Sequence, residues 1–348
     1  MLEIIKFANL LTISIMIILF FFPALQSSPP AEAIRSSASV IPETSSFFFR
    51  KAAEFKNVKD EICNPSFVHV AMTLDVQFLR GTIASVHSIL LNSVCPENIF
   101  FHFISSDTEN DLISLIKGVF PSIKLKGHYF NPEIVQKRIS STVRQALEQP
   151  LNYARNYLAH LIGEPGVERV IYLDSDVVLV DDVSKLWEIN LQSAILGSPE
   201  YCQANFTKYF THKFWSQEKF FKAFSGRKPC YFNTGVMVID LVTWRKNGCT
   251  KKIERWMEIQ KDYRIYDLGS LPPFLLAFAG KIAPIDHRWN QHGLGGDNLR
   301  GNCRQLHPGP VSLLHWSGKG KPWLRLDSGN PCPLDLIWSH YDLYGSSL

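Results

Sequence analysis

The sequence predicts a single α/β domain whose mostly parallel β-sheet is covered by helices on both faces. Short apolar runs alternate with longer stretches of helical periodicity, as crossover connections between parallel strands require. Strands are predicted over Phe67–Thr73, Ile99–Ile104, Ile123–Tyr129 and Arg169–Leu173, and helices over Leu79–Leu91, Glu109–Val119 and Ser141–Ile162. In open sheets of this kind ligands bind beyond the carboxyl ends of the strands, so polar residues there are the first candidates for chemistry.

The second half of the chain is less regular. A strand is predicted over Tyr231–Ile239 and a helix over Leu241–Lys261. A segment rich in Gly and Pro, Leu268–Pro310, follows without a clear pattern, and a last strand, Val311–Leu314, leads into the C-terminal region. No internal repeat is visible, so the sequence gives no sign of a repeat architecture.

The composition is that of a folded globular protein. The 348 residues include 46% hydrophobic and 20% charged residues, values that argue against disorder and against several membrane spans. The formal net charge of +4 is small and is not gathered into a long basic arm, which argues against a nucleic-acid partner. We therefore expect one large domain over residues 61–348.

The first residues predict a route into the secretory pathway. Residues 7–25 form an almost uncharged apolar run, long enough to cross a bilayer, which needs ~20 residues. We predict a cytoplasmic tail over residues 1–6, a signal-anchor helix over 7–25 and a flexible stem over 26–60. The alternative is a signal peptide cut after Ala31-Glu32-Ala33. Either segment places the domain in the lumen.

An oxidising lumen would permit disulfides among the seven cysteines, all of which follow the apolar run. None forms a Cys-x-x-Cys pair, which argues against a zinc site. The odd count leaves at least one thiol free or paired between chains. The sequon Asn205-Phe206-Thr207 predicts N-glycosylation at Asn205.

Two carboxylates follow the strand that ends at Leu173. Asp174 and Asp176 are one residue apart, so in an extended segment they point the same way and could share one hard cation. Diphosphate oxygens would take the other positions of that cation. The alternative is that aspartates after a strand cap the next turn, which is our interpretation of Asp181 and Asp182.

The segment His315–Trp323 favours the metal interpretation, because it also follows an apolar strand. His315 can complete the protein ligands, Gly318 allows close backbone approach to a phosphate, and Lys321 can neutralise a departing diphosphate. Carboxylate and imidazole ligands together suit Mn²⁺. A core histidine or a solvated turn would be ordinary alone, but with the two aspartates they predict a metal–diphosphate site.

On these residues the chain resembles the family 8 glycosyltransferases. Their pattern is an Asp-x-Asp after a Tyr-Leu strand, an Asn-x-Gly strand start and a C-terminal HxxGxxKPW, found here at Tyr172–Asp176, Phe232–Met237 and His315–Trp323. The similarity spans residues 65–325. It implies the GT-A fold, a single nucleotide-binding α/β domain, and metal-dependent transfer from a UDP-sugar donor with retention of the anomeric configuration.

The resemblance also implies the residues of the metal and diphosphate site. Asp174, Asp176 and His315 would be the metal ligands, with Mn²⁺ as the metal. Gly318 and Lys321 would contact the diphosphate, and Lys321 would stabilise the departing UDP.

Further roles follow from the same resemblance. Arg155 matches the arginine that braces the donor and the aspartate motif, and Thr73 and Asp75 would form the uridine pocket. Asn233 and Gly235 would line the cavity for the sugar and the acceptor. A turn that opens a core strand explains these last two residues nearly as well.

One region distinguishes this chain from many family members. Where those carry an Asp-Gln pair in the sugar pocket, this chain has Leu268–Pro273, which with His287–His292 resembles the plant galacturonosyltransferase-like branch. That branch implies UDP-galacturonate as donor, a pectic or xylan glycan as acceptor, a single-pass type II location in the Golgi membrane and a partner glycosyltransferase. Arg288, Lys319 and Arg325 are candidates for pairing with a uronate carboxylate, and an ordinary surface position is the alternative for each.

The sequence leaves alternatives open for two questions: the chemical route by which configuration is retained, and the functional class of the protein. Front-face attack is favoured because no carboxylate nucleophile is clearly placed, and a covalent intermediate is the alternative. A non-catalytic Golgi scaffold would be expected to lose metal or phosphate residues, yet Asp174, Asp176, His315 and Lys321 are intact. A hydrolase of nucleotide sugars could use the same site with water in place of the acceptor.

Overall fold

The computed structural model describes residues 48–59, 61–106, 111–140, 148–202, 206–228, 230–296 and 305–345. The predicted anchor, residues 26–47 of the predicted stem and the sequon residue Asn205 lie outside these ranges. Within the described ranges, no helix combines the length and the apolar character that crossing a bilayer requires. The anchor and the glycosylation site therefore stay predictions.

A mixed, mostly parallel sheet forms the centre of the molecule. The described strands are β1 (Val68–Thr73), β2 (Ile99–Ser105), β3 (Lys124–Tyr129), β4 (Arg169–Leu173), β5 (Val177–Leu179), β6 (Leu196–Tyr201), β7 (Tyr231–Phe232), β8 (Val236–Asp240), β9 (Ala283–Ile285) and β10 (Leu313–His315). The main sheet has the order β3-β2-β1-β4-β8-β6-β7, with β9 beside β6. The predicted α/β class with a mostly parallel sheet is confirmed.

Strand directions decide which residues meet at one edge of the sheet. β1 pairs in parallel with β2 and β4, and β2 pairs in parallel with β3. β8 is antiparallel to both β4 and β6, so β4 and β6 run in the same direction. The carboxyl ends of β1, β4 and β6 therefore lie at the same edge. β5 and β10 form a separate antiparallel pair.

Helices surround this sheet. The described α-helices are α1 (Leu79–Leu91), α2 (Asp111–Val119), α3 (Glu133–Gln136), α4 (Leu158–Leu161), α5 (Ser184–Trp187), α6 (His212–Trp215), α7 (Glu218–Phe221), α8 (Leu241–Lys246), α9 (Cys249–Tyr263), α10 (Leu271–Phe278), α11 (Pro322–Asp327) and α12 (Pro333–Ser339). Short 3₁₀ helices cover Val76–Phe78, Pro96–Asn98, Pro150–Tyr157, Phe206–Tyr209, Lys222–Phe224 and His287–Trp289.

Both faces of the central strands are buried, which is why β1, β2 and β4 are nearly continuous apolar runs. One face, with Met72 and Phe103, packs against α1. The other, with Tyr172 and Met237, packs against the 3₁₀ helix Pro150–Tyr157. The edge of the sheet at which β1, β4 and β6 end is therefore held between two well-packed layers.

Gly81 lets α1 pack closely against the edge of the sheet where β1 and β4 end. A Cβ on Gly81 would lie 2.5 Å from the carbonyl oxygen of Ser175 and 2.7 Å from the ring of Trp323. Such separations are far inside van der Waals contact, so only glycine fits. The C-terminal HxxGxxKPW segment and the aspartate segment are consequently clamped against the same helix.

Four sequence predictions differ from the structure. In place of one helix reaching Ile162, the described part has the 3₁₀ helix Pro150–Tyr157 followed by α4. Leu151 to Tyr157 are all buried, polar residues included, so the helical pattern of this segment does not mark a solvent-exposed face. The helix predicted over Leu241–Lys261 is two helices, because Gly248 adopts a φ of 58° between them.

The region predicted without regular structure contains α10 and β9. Pro272 and Pro273 suggested a loop, but proline is tolerated in the first turn of a helix, where the backbone N–H has no partner. The strand predicted over Tyr231–Ile239 is likewise divided into β7 and β8 by the turn at Asn233–Gly235.

Residues 48–58, which the sequence assigned to the stem, lie against the body. The amide of Arg50 donates to the carbonyl of Leu343 (2.8 Å), and the amide of Ala52 donates to the carbonyl of Val119 (2.8 Å). These backbone bonds tie the segment to the C-terminal region and to the end of α2. The packed body therefore begins before the predicted boundary at residue 61.

Disulfides join Cys63 to Cys95 and Cys202 to Cys230, and Cys332 is also disulfide-bonded. Cys249 is free and buried. The expectation that the odd count leaves one thiol unpaired is confirmed.

A chain of three histidines crosses β1, β2 and β3. The ring nitrogens of His69 and His102 are 2.9 Å apart, as are those of His102 and His128. Burial lowers the pKa of all three rings, and with the neighbouring rings it brings that of His102 to about 3. Glu164 partly opposes the effect. The rings are therefore neutral at pH 7 and can form one directional hydrogen-bonded chain.

The hydrogen-bonded row of histidines predicts that the folded protein loses stability in acid. Free histidine titrates near 6.5, so below that pH the unfolded chain binds protons that the folded His102 does not, and stability falls as the pH drops from 6.5. We expect the folded state to lose about 2 kcal/mol through His102 between pH 7.5 and 5. Denaturant unfolding at both pH values measures the difference.

Two variants isolate the histidine. His102→Leu should reduce the difference between the two pH values, whatever its absolute stability, whereas the exposed His212→Gln should retain it. An unchanged difference in His102→Leu would contradict the assignment.

Candidate active site

The aspartate motif lies at the carboxyl edge of the sheet, where β1 and β4 end side by side. The hydroxyl of Ser175 donates to the carbonyl of Thr73 (2.7 Å), and the amide of Asp174 donates to the carbonyl of Gly235 (2.9 Å). Both bonds are buried. They fix the backbone of the motif between the neighbouring strand and the turn before β8.

Arg155 braces Asp174 from the 3₁₀ helix. The Oδ1 atom of Asp174 lies 3.2 Å from the Arg155 guanidinium and accepts a hydrogen bond from the hydroxyl of Tyr172 (3.0 Å). The guanidinium also donates to the carbonyl of Thr234 (3.0 Å) and lies over the Tyr172 ring. The Oδ1 atom of Asp174 is therefore held by Arg155 and Tyr172, which fixes the direction of Oδ2.

Asp176 is held in the same way by a lysine. The ammonium of Lys321 donates to Asp176 Oδ2 (2.5 Å) and to the carbonyl of Trp316 (2.9 Å). Burial alone would raise the pKa of Asp176, but the charge of Lys321 brings it below its usual value. The carboxylate is therefore charged although no part of it meets solvent.

His315 presents one ring nitrogen to both carboxylates. Its Nδ1 lies 2.9 Å from the side-chain oxygen of Asn290. An amide oxygen can only accept, so Nδ1 carries the proton and Nε2 has a free electron pair. Nε2 lies 3.2 Å from Asp176 Oδ1 and 3.8 Å from Asp174 Oδ2. Such an orienting hydrogen bond is the usual support of a metal-binding histidine.

Three electron-pair donors thus converge without a hydrogen-bond donor to satisfy them. Asp174 Oδ2, Asp176 Oδ1 and His315 Nε2 are buried, and none has a hydrogen-bond partner among the residues that the structure describes. Ligand atoms of the three residues all lie within 4.8 Å of one another. Buried unpaired acceptors are costly unless a cation meets them. Two carboxylates and an imidazole fit a divalent cation such as Mn²⁺.

The turn before β8 closes one side of this cluster. A Cβ on Gly235 would lie 2.5 Å from Asp174 Oδ2 and 2.6 Å from the His315 ring, so only glycine leaves room for the ligand atoms. The side-chain oxygen of Asn233 accepts from the amide of Gly235 (2.7 Å). The turn interpretation therefore describes both residues, and their contact with a sugar stays a prediction.

Gly318 is used for a close approach of two loops. Its φ of 113° is in the region that favours glycine, and a Cβ there would lie 2.4 Å from the carbonyl oxygen of Gly296. The amide of Lys319 donates to that same carbonyl (2.8 Å). The hydrogen bond and the close backbone packing hold the loop that carries Lys321 against residues 293–296. Diphosphate contact by Gly318 stays a prediction.

With this geometry described, comparison with known proteins decides the family. The model of the glycosyl transferase family 8 matches residues 69–327, which include all three motifs. The chain belongs to glycosyl transferase family 8. It is a glycosyltransferase. Among curated relatives from Arabidopsis thaliana it is 64% identical to "Probable galacturonosyltransferase-like 7" over 99% of both chains, and 63% identical to "Probable galacturonosyltransferase-like 6" over the full length of both.

Solved structures agree with the family 8 fold. The galactosyltransferase LgtC, in complex with donor and acceptor sugar analogs, superposes with a TM-score of 0.57 at 20% identity, covering 79% of this chain and 95% of that one. The glycosyltransferase GlyE of Streptococcus pneumoniae superposes with a TM-score of 0.52 at 17% identity, covering 79% and 61%. At this identity the likeness shows the fold alone, and the fold is GT-A-like.

Two residues predicted for the uridine pocket lie at the expected edge of this family 8 domain. Thr73 is the buried last residue of β1. The carboxylate of Asp75 accepts from the amide of Phe78 (2.9 Å) and so caps the 3₁₀ helix Val76–Phe78. Nucleoside contact by either residue stays a prediction.

Two candidates for a uronate-binding cation are engaged elsewhere. Arg325 is buried and pairs with Asp335 (2.5 Å), and Arg288 pairs with Asp181 (3.1 Å). Both guanidiniums are already paired within the domain, which argues against uronate pairing by these two residues. Lys319 remains exposed.

Sequence reasoning missed Asn290, which fixes the tautomer of His315. The run His287–His292 had been singled out, but nothing in it indicated which side chain faces the site. Asp182 accepts from the amides of Ser184 and Val94, which confirms its predicted capping role.

Adding one methyl group at Gly235 should destroy the metal site of this family 8 chain. The Cβ of Gly235→Ala would occupy the space between Asp174 and His315, so we expect Mn²⁺ in the presence of UDP to bind about tenfold or more weakly. Isothermal titration calorimetry measures this affinity.

Gly118→Ala is the matched control, because its Cβ would meet nothing within 4 Å. It should bind Mn²⁺ as the unaltered chain does. Equal affinity of the Gly235→Ala variant, with circular dichroism unchanged, would contradict the site.

Proposed function

We propose that this chain is a metal-dependent, retaining transferase that moves galacturonate from UDP-galacturonate onto a pectic or xylan glycan. The observation that carries the proposal is the convergence of Asp174 Oδ2, Asp176 Oδ1 and His315 Nε2, buried and without hydrogen-bond partners. A buried cluster of acceptors needs a cation, and a nucleotide diphosphate is the ligand that such a cation would in turn hold.

Asp174, Asp176 and His315 would hold the cation, with Mn²⁺ as our choice. When bound, it would supply electrostatic stabilisation of the departing UDP. Lys321 adds a second positive charge in the same pocket, 2.5 Å from Asp176. Arg155 keeps Asp174 oriented, since its guanidinium and the carboxylate form a buried pair.

Retention is proposed to follow front-face attack, in which the departing phosphate oxygen takes the proton of the acceptor hydroxyl. Asp174 and Asp176 are bound on one oxygen each by Arg155 and Lys321, and their other oxygens face the cation site. That arrangement makes them ligands rather than nucleophiles. Charge on the leaving group is met by Lys321, which lies beside the cation site.

The choice of galacturonate rests on the relatives, whose names describe probable galacturonosyltransferase-like proteins. A uronate carries a carboxylate, and exposed Lys319 in the loop beside the site is the cation left to meet it. The acceptor choice, pectin or xylan, has the same basis.

We also propose that the chain is a single-pass type II protein of the Golgi membrane, with its catalytic domain in the lumen and with a partner glycosyltransferase. The apolar run at residues 7–25 supports the anchor. The two disulfides among described cysteines support an oxidising compartment.

Turnover should need the metal, the acceptor and Asp176. The assay measures UDP release by the full chain with Mn²⁺, UDP-galacturonate and pectic or xylan oligosaccharides. We expect Asp176→Asn to lower acceptor-dependent turnover by about 10²-fold or more, because it removes a charged ligand. The exposed Glu188→Gln should behave as the unaltered chain does. NMR of the product should show an α-linkage.

Other outcomes of this assay would each contradict part of the proposal or support a different function. Turnover that persists after chelation would contradict the metal site. Donor binding without transfer to any acceptor would favour a scaffold, and sugar release that no acceptor redirects would favour a hydrolase.

A further inference from the structure

A short part of the chain concentrates positive charge and aromatic rings. Residues 206–228, which we name the basic aromatic segment, contain six Lys or Arg, one Glu and eight aromatic residues. Their net charge of +5 exceeds the +4 of the whole chain. None of the motifs of the active site includes this segment, so its composition has another cause.

The basic aromatic segment leaves the sheet at the edge that carries the active site. It follows β6, which runs in the same direction as β4, so the segment starts at the edge where Asp174 lies. It returns through β7 directly into the Asn233–Gly235 turn. The Cys202–Cys230 disulfide joins its two ends. The chain thus fixes this segment at the rim of the site.

One side of the segment is built into the core. Phe210, Phe214 and Phe220 are buried in the same cluster as α10. The guanidinium of Arg227 donates to the carbonyl of Leu276 in α10 (2.8 Å). These contacts order the segment and leave its other side facing solvent.

The solvent side presents unpaired ammonium groups beside rings. The Nζ atoms of Lys213 and Lys219 lie 5.3 and 4.1 Å from the centre of the Tyr263 ring, and neither forms an ion pair among the described residues. Two like charges against one ring repel each other, so an anion between them would be stabilised. Trp215 and Phe221 are 36% and 40% exposed.

A second set of aromatic contacts links the start of the basic aromatic segment to the active site. Lys208 lies over the Tyr209 ring, and that ring is 5.9 Å from the ring of Tyr231. The side-chain amide of Asn233 donates to the hydroxyl of Tyr231 (3.4 Å). Asn233 in turn supports Gly235 against the metal-ligand cluster.

We propose that the basic aromatic segment binds the acidic glycan acceptor, a polyuronate chain whose growing end reaches the active site. Exposed rings offer flat surfaces for sugar rings, and the ammonium groups of Lys213 and Lys219 meet carboxylates spaced along the chain. The inference deepens the proposed function and rests on it for the direction of the chain. It selects polyuronates over neutral glycans, because the surface offers cations without carboxylate partners.

The test measures binding of an α-1,4-linked oligogalacturonide of 10 to 15 sugars to the full chain, without donor, and compares it with the same oligomer fully methyl-esterified. Esterification removes the charge and retains the sugar backbone. We expect the free acid to bind more tightly, with an affinity that falls as salt is added. Lys213→Gln/Lys219→Gln should weaken binding of the free acid about tenfold.

The control is Lys251→Gln/Lys252→Gln, which removes two exposed charges at the far end of α9. It should bind the oligomer as the unaltered chain does. Equal binding of the free and esterified oligomers would overturn the inference, as would equal loss in the two double variants. Vesicles of anionic lipid that compete through Lys213 and Lys219 would overturn it in favour of a membrane surface.

Failure of the inference is distinguishable from failure of the proposed function. Transfer with an unchanged KM for the acceptor in Lys213→Gln/Lys219→Gln would refute the surface and leave the transferase. Lysine-dependent binding of the free acid in a chain without transfer would refute the transferase and leave the surface.

Discussion

Two aspartates in a fully buried pocket need positive charge within contact distance, and this requirement organises the site. Removing a carboxylate from water is costly unless paired groups replace the solvent. Arg155 supplies one charge from a 3₁₀ helix, and Lys321 supplies the other from a loop 145 residues beyond Asp176. The core on one side of the sheet and the C-terminal region on the other must both be in place before the aspartates can be buried.

The pairing also has a consequence for ligands. Arg155 and Lys321 offset the charges of Asp174 and Asp176, so the pocket is close to neutral before a metal binds. A divalent cation alone would leave two uncompensated charges in a place without solvent. A diphosphate supplies the missing negative charge. This balance favours a metal and a nucleotide that bind together over a metal held permanently.

Prediction from the sequence was most accurate where a single local rule determines the structure. β1, β2 and β4 are buried on both faces and are therefore apolar runs; Asp174 directly follows β4, and His315 ends the short buried strand β10. Prediction was wrong where tertiary packing overrides the local signal. The Pro150–Tyr157 segment buries its polar as well as its apolar residues, and the prolines of α10 are tolerated only because they begin a helix. Arg155 came from resemblance, and Asn290 needed the structure.

The segment that precedes β1 passes beside the end of the chain, since Phe49 pairs with Tyr344 and Arg50 with Leu343. Proteolytic cleavage has different outcomes on either side of these contacts. A cut before Phe48 would release the body with its closing contacts intact. A cut after Val58 would take those contacts away and expose the surface beneath them. A fusion partner at the C-terminus would stand next to the point where the chain enters the body.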